Sequence, residues 1–246
     1  MITMTIAALC LAIPAQAVPD FDAFFAEFQK KRDGIRFLEA PFEQTTVTPD
    51  ETILLKGRIV YSAPKRLLLH YADPDTGEAS VLVYITDGLV TYEYDKELGQ
   101  LKSWKLEDRP ETEALFLGFS DDSENLKKAY VIRLVPPAES NKGGVALELT
   151  PRDPESEMAV FESATLQLRP GDLLPTQILI VNDAESNVTI RIGEFALGDT
   201  APPDKTHIIV PEGTDIVEDE QYIETAGPEG KTVPGALAVE SLVKDP

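Results

Sequence analysis

Two histidines, one cysteine and a short acidic run are the side chains of this chain best suited to chemistry. His70 closes the apolar run Leu67-Leu68-Leu69, and His207 sits in the strand-like stretch that ends at Val210. Neither has a serine elbow, an HExxH helix or any comparable spacing around it, so each reads as a structural strand residue. Cys10 is the only cysteine, and Ala8-Leu9 precedes it where a lipidation signal needs a small neighbour, so no lipid anchor is expected. Asp121, Ser123 and Asn125 fall at the first, third and fifth positions of a calcium loop. Leu126 then stands where glycine must turn, and Ile132 where a bidentate glutamate belongs. Gly143-Gly144 and Gly171 lie in turns with no phosphate-loop lysine after them, and Asn187-Val188-Thr189 reads as a strand start. These patterns imply no enzyme, no metal and no cofactor.

What remains is surface. With 43 acidic against 22 basic residues the formal charge is −21, which repels nucleic acid and anionic bilayers and predicts a soluble monomer. The apolar run from Ile6 to Ile13 ends in Ala15-Gln16-Ala17, a small-x-small cleavage site, so residues 1–17 read as a secretory signal and the mature chain as starting at Val18. That run is far shorter than the roughly 20 residues a membrane helix needs, and no later segment comes closer. With Cys10 in the leader the mature chain holds no thiol, so a buried core must hold it together.

The elements follow from periodicity. Phe21, Phe24, Phe25 and Phe28 are spaced to share one helical face, predicting an amphipathic helix from Asp20 to about Gly34. From Phe42 the period becomes two, as in Leu55, Gly57, Ile59, Tyr61 and in Val90, Tyr92, Tyr94. Similar stretches at 67–71, 81–86, 130–135, 145–150, 160–168, 177–181, 188–195 and 206–210 predict a meander of antiparallel strands with Gly, Pro, Asn and Asp turns. A second helical stretch runs from Pro110 to Gly118 and on toward Lys128, with Leu115, Phe116 and Phe119 on one face, placed to act as a lid. After Asp219 the periodicity is lost, so 220–246 reads as a flexible tail and 18–219 as one domain. Phe42, Leu55, Ile59, Leu67, Leu69, Leu82, Tyr84, Tyr92, Tyr94, Trp104, Leu147, Leu149, Leu166, Ile178, Ile180, Ile190 and Ile192 suit either the wall of one concavity or a closed, packed core.

The order of these motifs resembles the LolA family, periplasmic carriers of outer-membrane lipoproteins, over residues 20–219. The Phe-rich helix is followed by Ala40-Pro41-Phe42-Glu43-Gln44-Thr45, similar to the family's first strand. Gly57 to Arg66 then resembles its proline-basic turn, continuing to Tyr71 and Pro74. Asp87-Gly88 with Tyr92 and Tyr94 resembles the central hairpin, and 173–183, 188–190 and 210–217 the closing strands. The resemblance implies a mainly β, α+β fold: an incomplete, strongly curved antiparallel β-barrel with lid helices over an apolar concave face. It implies acyl chains as ligands, with Leu115 and Phe116 of the lid among the contacts. It also implies cargo taken from an inner-membrane release complex, passed to an outer-membrane acceptor, and carried through the periplasm. Where the family places an arginine that latches the lid, this chain has Leu68, read as one more apolar wall residue. Two other readings stand beside the carrier: an RseB-like lipid-sensing regulatory domain, and a ligand-free structural β protein of the envelope.

Export should release a chain that begins at Val18, because Ala15 and Ala17 suit the signal peptidase while Leu9 spoils a lipidation site. Intact mass of the exported protein checks this; retained Met1 or a diacylglyceryl group on Cys10 would refute it.

Overall fold

The computed structural model describes residues 21–63, 66–73, 77, 79–86, 90–105, 127–128, 130–141, 143–155, 161–202 and 207–233. Residues 1–20, which include the stretch read as a secretory signal, residues 106–126 with Leu115 and Phe116, and residues 234–246 lie outside these.

The phenyl spacing gives the helix it predicts. Helix α1 spans Phe21–Asp33, with Asp22 in its first turn and Lys30, Lys31 and Arg32 in its last, charges that complement the helix dipole at both ends. Glu27 and Lys31 pair at 3.0 Å one turn apart. Phe24, Phe25 and Phe28 are buried, and their rings touch in sequence, Phe24 to Phe28 at 6.3 Å and Phe25 to Phe28 at 6.0 Å between centroids.

Strands follow as β1 (Phe37–Val47), β2 (Thr52–Ser62), β3 (Arg66–Ala72), β4 (Ala79–Thr86), β5 (Val90–Asp95) and β6 (Gln100–Lys105). Next come β7 (Tyr130–Val135), β8 (Val145–Pro151), β9 (Ser163–Leu168), β10 (Pro175–Val181), β11 (Asn187–Ile192) and β12 (Ala196–Gly198). The last are β13 (Ile208–Val210), β14 (Asp215–Glu218), β15 (Gln221–Thr225) and β16 (Lys231–Val233). The main sheet has the order β15-β14-β6-β5-β4-β3-β2-β1-β11-β10-β9-β8-β7. The expected meander is thus two meanders. Strands β1 to β6 run out to one side, β7 to β11 come back from the other, and β1 pairs with β11 from Phe42 opposite Ile192 to Val47 opposite Asn187. The order ends at β15 and β7 without joining them, so the sheet is curved and open: an incomplete barrel rather than a closed one.

Strand alternation then divides the side chains between two faces. One apolar cluster gathers Phe24, Phe25 and Phe28 of α1 with Leu38, Ala40 and Phe42, Ile59 and Tyr61, Leu67 and Leu69, and with buried residues of β7 to β11. Eight strands laid flat would span about 35 Å at ~4.8 Å each, whereas a helix of 13 residues is only ~20 Å long. One cluster can join them only if the sheet wraps the helix, so this is the concave face.

The opposite face has its own cluster: Phe37, Val60, Leu68, Tyr94, Leu101 and Ile216, covered by Ile208, Val210, Ala226 and Val233. Part of this cover comes from the segment expected to be a flexible tail. Residues 221–225 and 231–233 form strands instead: β15 pairs with β14, and β16 with β13. The strands are too short for periodicity to register, yet Ala226 is 6% and Val233 4% exposed.

Leu68→Arg should therefore damage the outer core, since a guanidinium at a site 1% exposed would lack partners, at roughly 3 kcal/mol or more. Thermal melting tests it: an unchanged melting temperature would mean that Leu68 does not lie in this core.

Candidate functional site

The concave face brings together Phe42, Ile59, Leu67, Leu69, Leu147, Leu149, Leu166, Ile178, Ile180, Ile190 and Ile192 of the expected wall, all buried in the cluster under α1. Leu55, opposite Gln44, lies on the same face but only half buried. Leu68, Tyr92 and Tyr94 do not join them, because residues adjacent to inward positions point outward: Leu68 and Tyr94 are in the outer cluster, and Tyr92 packs against it. By register Leu82 stands opposite His70 and Tyr94, and Tyr84 opposite Leu68 and Tyr92. The wall expected as one surface is thus split between two, and the position of the family's latch arginine does not face α1.

Local chemistry explains how the sheet fits the helix. A Cβ on Gly57 would fall 2.7 Å from ring carbons of Phe42, so only glycine lets that ring lie across β2. Phe42 in turn meets Tyr71 edge-on at 5.3 Å, and the Tyr71 hydroxyl donates to Gln44 Oε1 at 3.2 Å. Burial, with help from the charge of Glu93, pushes the Tyr71 phenol up to about 12, so it stays neutral at any physiological pH.

A guanidinium, which the periodicity of the chain does not single out, tethers the helix. Arg32 is 3% exposed and lies one turn beyond Phe28, its Cζ 4.5 Å from that ring's centroid. The spacing signal is nonetheless present, since Phe21, Phe25, Phe28 and Arg32 stand at i, i+4, i+7 and i+11. Its Nη2 donates to the Leu173 carbonyl, and Lys31 Nζ donates to that of Gly171. Both acceptors lie in the β9–β10 turn, where Gly171 and Leu173 take positive φ, 93° and 58°. Asp172 braces the turn, accepting from Arg169 Nε at 2.9 Å and from the Leu174 N–H at 3.0 Å. Burial opposes its charge, but these bonds and the charges of Arg169 and Arg32 prevail and hold the carboxyl below its ordinary range. For Arg32 burial dominates and lowers the guanidinium to about 10, against the raising influence of Asp172 and Tyr61. Its Nε and Nη1 have no hydrogen-bond partner among the described residues.

Beyond β4, whose inward register positions are Val81, Val83 and Ile85, the concave face changes character. On β5 it presents Thr91, Glu93 and Asp95, and it then opens into a groove of about 740 Å³ over β6, β14 and β15. Trp104, Val217 and Tyr222 supply apolar surface there, with Lys102, Asp215, Asp219 and Glu220 around them. Trp104, expected in the apolar wall, therefore belongs to this mixed groove instead.

No protein-family model and no curated protein matches the sequence. Among solved structures, an uncharacterized conserved protein from Thermus thermophilus superposes with a TM-score of 0.51 at 12% identity, over 80% of this chain and 98% of that one. At that identity the likeness is one of fold. Lower scores relate the chain to a putative outer membrane lipoprotein-sorting protein domain from Vibrio parahaemolyticus (0.44, 12% identity, 74% of this chain and 94% of that one). They also relate it to a LolA superfamily protein from Nitrosomonas europaea (0.41, 15%, 73% and 95%). Among the described residues, no helix is long and apolar enough to cross a membrane.

Replacing Arg32 by Met should leave the melting temperature unchanged or raise it by a few degrees, because a buried guanidinium with two unpartnered nitrogens gains little over an apolar chain of similar length. Phe25→Ala should instead lose about 3–5 kcal/mol. A fall of that size in Arg32→Met would show that the bond to Leu173 outweighs desolvation.

Proposed function

We propose that the chain is a periplasmic carrier that holds the acyl chains of lipoproteins, or of related lipids, on its concave face, and that it catalyses no reaction. The observation that carries this reading is an apolar face running across eight strands, from Leu67 and Leu69 on β3 to Tyr130 on β7, and closed by the rings of one helix. Among the described residues helix α1 is held by its rings, by Lys127 over Phe25 and by bonds from Lys31 and Arg32 to a turn, and its departure would bare a continuous wall.

The magnitudes favour exchange. Withdrawing three phenyl rings costs about 1.5–3 kcal/mol each, and each methylene that takes their place returns about 0.8 kcal/mol, so roughly ten methylenes suffice. An ordinary acyl chain is longer than that. The motif order shared with the LolA family supports lipoprotein cargo, an inner-membrane source and an outer-membrane acceptor. The lining would come from the concave subset of the expected wall, Phe42, Ile59, Leu67, Leu69, Leu147, Leu149, Leu166, Ile178, Ile180 and Ile190. Leu115 and Phe116 would add to it from the stretch between β6 and β7.

Titration with a fluorescent long-chain fatty acid tests the reading. Wild type should bind saturably. Phe25→Ala, with one ring fewer to displace, should bind about tenfold or more tightly, and Leu147→Asp should bind far more weakly because a carboxylate enters the wall. No saturable binding by a protein that melts cooperatively would sink the carrier.

A further inference from the structure

We propose that the β15 end of the concave face is a docking site for a basic, extended peptide, which adds alongside β15 and inserts an apolar side chain into the groove over β6 and β14. This site does not depend on acyl binding, since it lies at the opposite end of the strand order from β7 to β11 and shares no residue with the cluster under α1.

Three features point to such a partner. First, β15 ends the sheet order, and all five of its residues are exposed, with Tyr222 at 62% and Ile223 at 52%. A terminal strand offers one row of backbone donors and acceptors to an incoming strand, the means by which sheet edges capture extended peptides.

Second, the groove beside it has apolar surface where an inserted side chain would lie. Trp104, Val217 and Tyr222 contribute it, and the space of about 740 Å³ far exceeds one aromatic side chain.

Third, the charges select the partner. Among the described residues Asp215, Asp219 and Glu220 line the groove against one base, Lys102, and Glu224 on β15 already holds Lys231 at 2.8 Å. Asp219 and Glu220 form the β14–β15 turn with φ of 45° and 65°. Asparagine and glycine usually fill both central places of such a turn. Aspartate is tolerated there too, but Glu220 is held against backbone preference, and both carboxylates line the groove. A second copy of this chain is a poor occupant, because it would bring the same acidic edge and a formal charge of −21 against its own like. A lysine- or arginine-rich strand meets complementary charge at every acidic position.

The test is fluorescence anisotropy with a labelled heptapeptide that alternates lysine and valine around a central tryptophan. It should bind saturably, and more weakly as salt rises. The double variant Asp219→Lys, Glu220→Lys and the single variant Tyr222→Ala should each weaken binding by roughly tenfold or more, while melting curves confirm that both remain folded. The glutamate analogue should not bind, and N-methylation along one edge of the lysine peptide should abolish binding, which separates strand addition from charge attraction alone. The proposal is overturned if the N-methylated peptide binds as well as its parent or if the double variant keeps wild-type affinity. Concentration-dependent dimerisation that blocks the peptide would also overturn it. So would a rise of about tenfold in affinity on ending the chain after Val233, since residues 234–246 would then be the native occupant.

Discussion

A β-strand sends each side chain to the face opposite its neighbours, and this molecule has apolar residues at consecutive positions where that constraint has consequences. Leu67 and Leu69 pack under α1 while Leu68, between them, packs under β13 and β16. Ile59, Val60 and Tyr61 divide in the same way. A sheet with such strands at its centre must be covered twice. The helix covers the inner face, and the chain from Ile208 to Val233 covers the outer one. The curvature follows, because among the described residues the inner cover is the short helix α1 and the sheet must close around it.

The two covers differ in how they are held. The outer cover, the β13–β16 pair, is a ladder of its own, and the chain between its two strands is tied into the main sheet by backbone bonds, with β14 parallel to β6 and β15 paired to β14. Among the described residues no strand ladder includes the inner cover. Its rings fill the concavity, Lys127 lies over the Phe25 ring, and the carbonyls of Gly171 and Leu173 receive Lys31 and Arg32. A cover held by side chains leaves at lower energy than one woven into a ladder, and the burial of Arg32 lowers it further, because desolvation works against the guanidinium that fastens it. The asymmetry makes the inner side the one on which the proposed ligand would exchange with its cover.

Much of this can be read from residue order. Four phenylalanines at helical spacing mark α1 almost to the residue, and alternation marks most of the strands from β2 to β11. The LolA resemblance anticipates the open, curved sheet. Periodicity cannot show which of two faces is inside, however, and when both faces are apolar a list of apolar strand residues merges two cores. That is why Leu68, Tyr92 and Tyr94 fall together with Leu67 and Leu69 in the sequence. The strands β15 and β16 escape because each has five residues or fewer, too few for a period of two to stand out from a turn-rich stretch. Arg32 escapes because charge in the last turn of a helix reads first as dipole compensation.

The parallel pairing of β14 with β6 also sets an order of assembly. Every hairpin from β1 to β6 can form from neighbours in sequence, but the strand that completes this side of the sheet arrives only after β7 to β13 have been made. Contacts so distant along the chain form slowly, and until they do Val60, Leu68, Tyr94 and Leu101 face solvent. A chain threaded into a new compartment from its N-terminus would wait in that half-clad state. Its formal charge of −21 then has a use before the fold exists, since mutual repulsion keeps unfinished copies from pairing their bare outer faces.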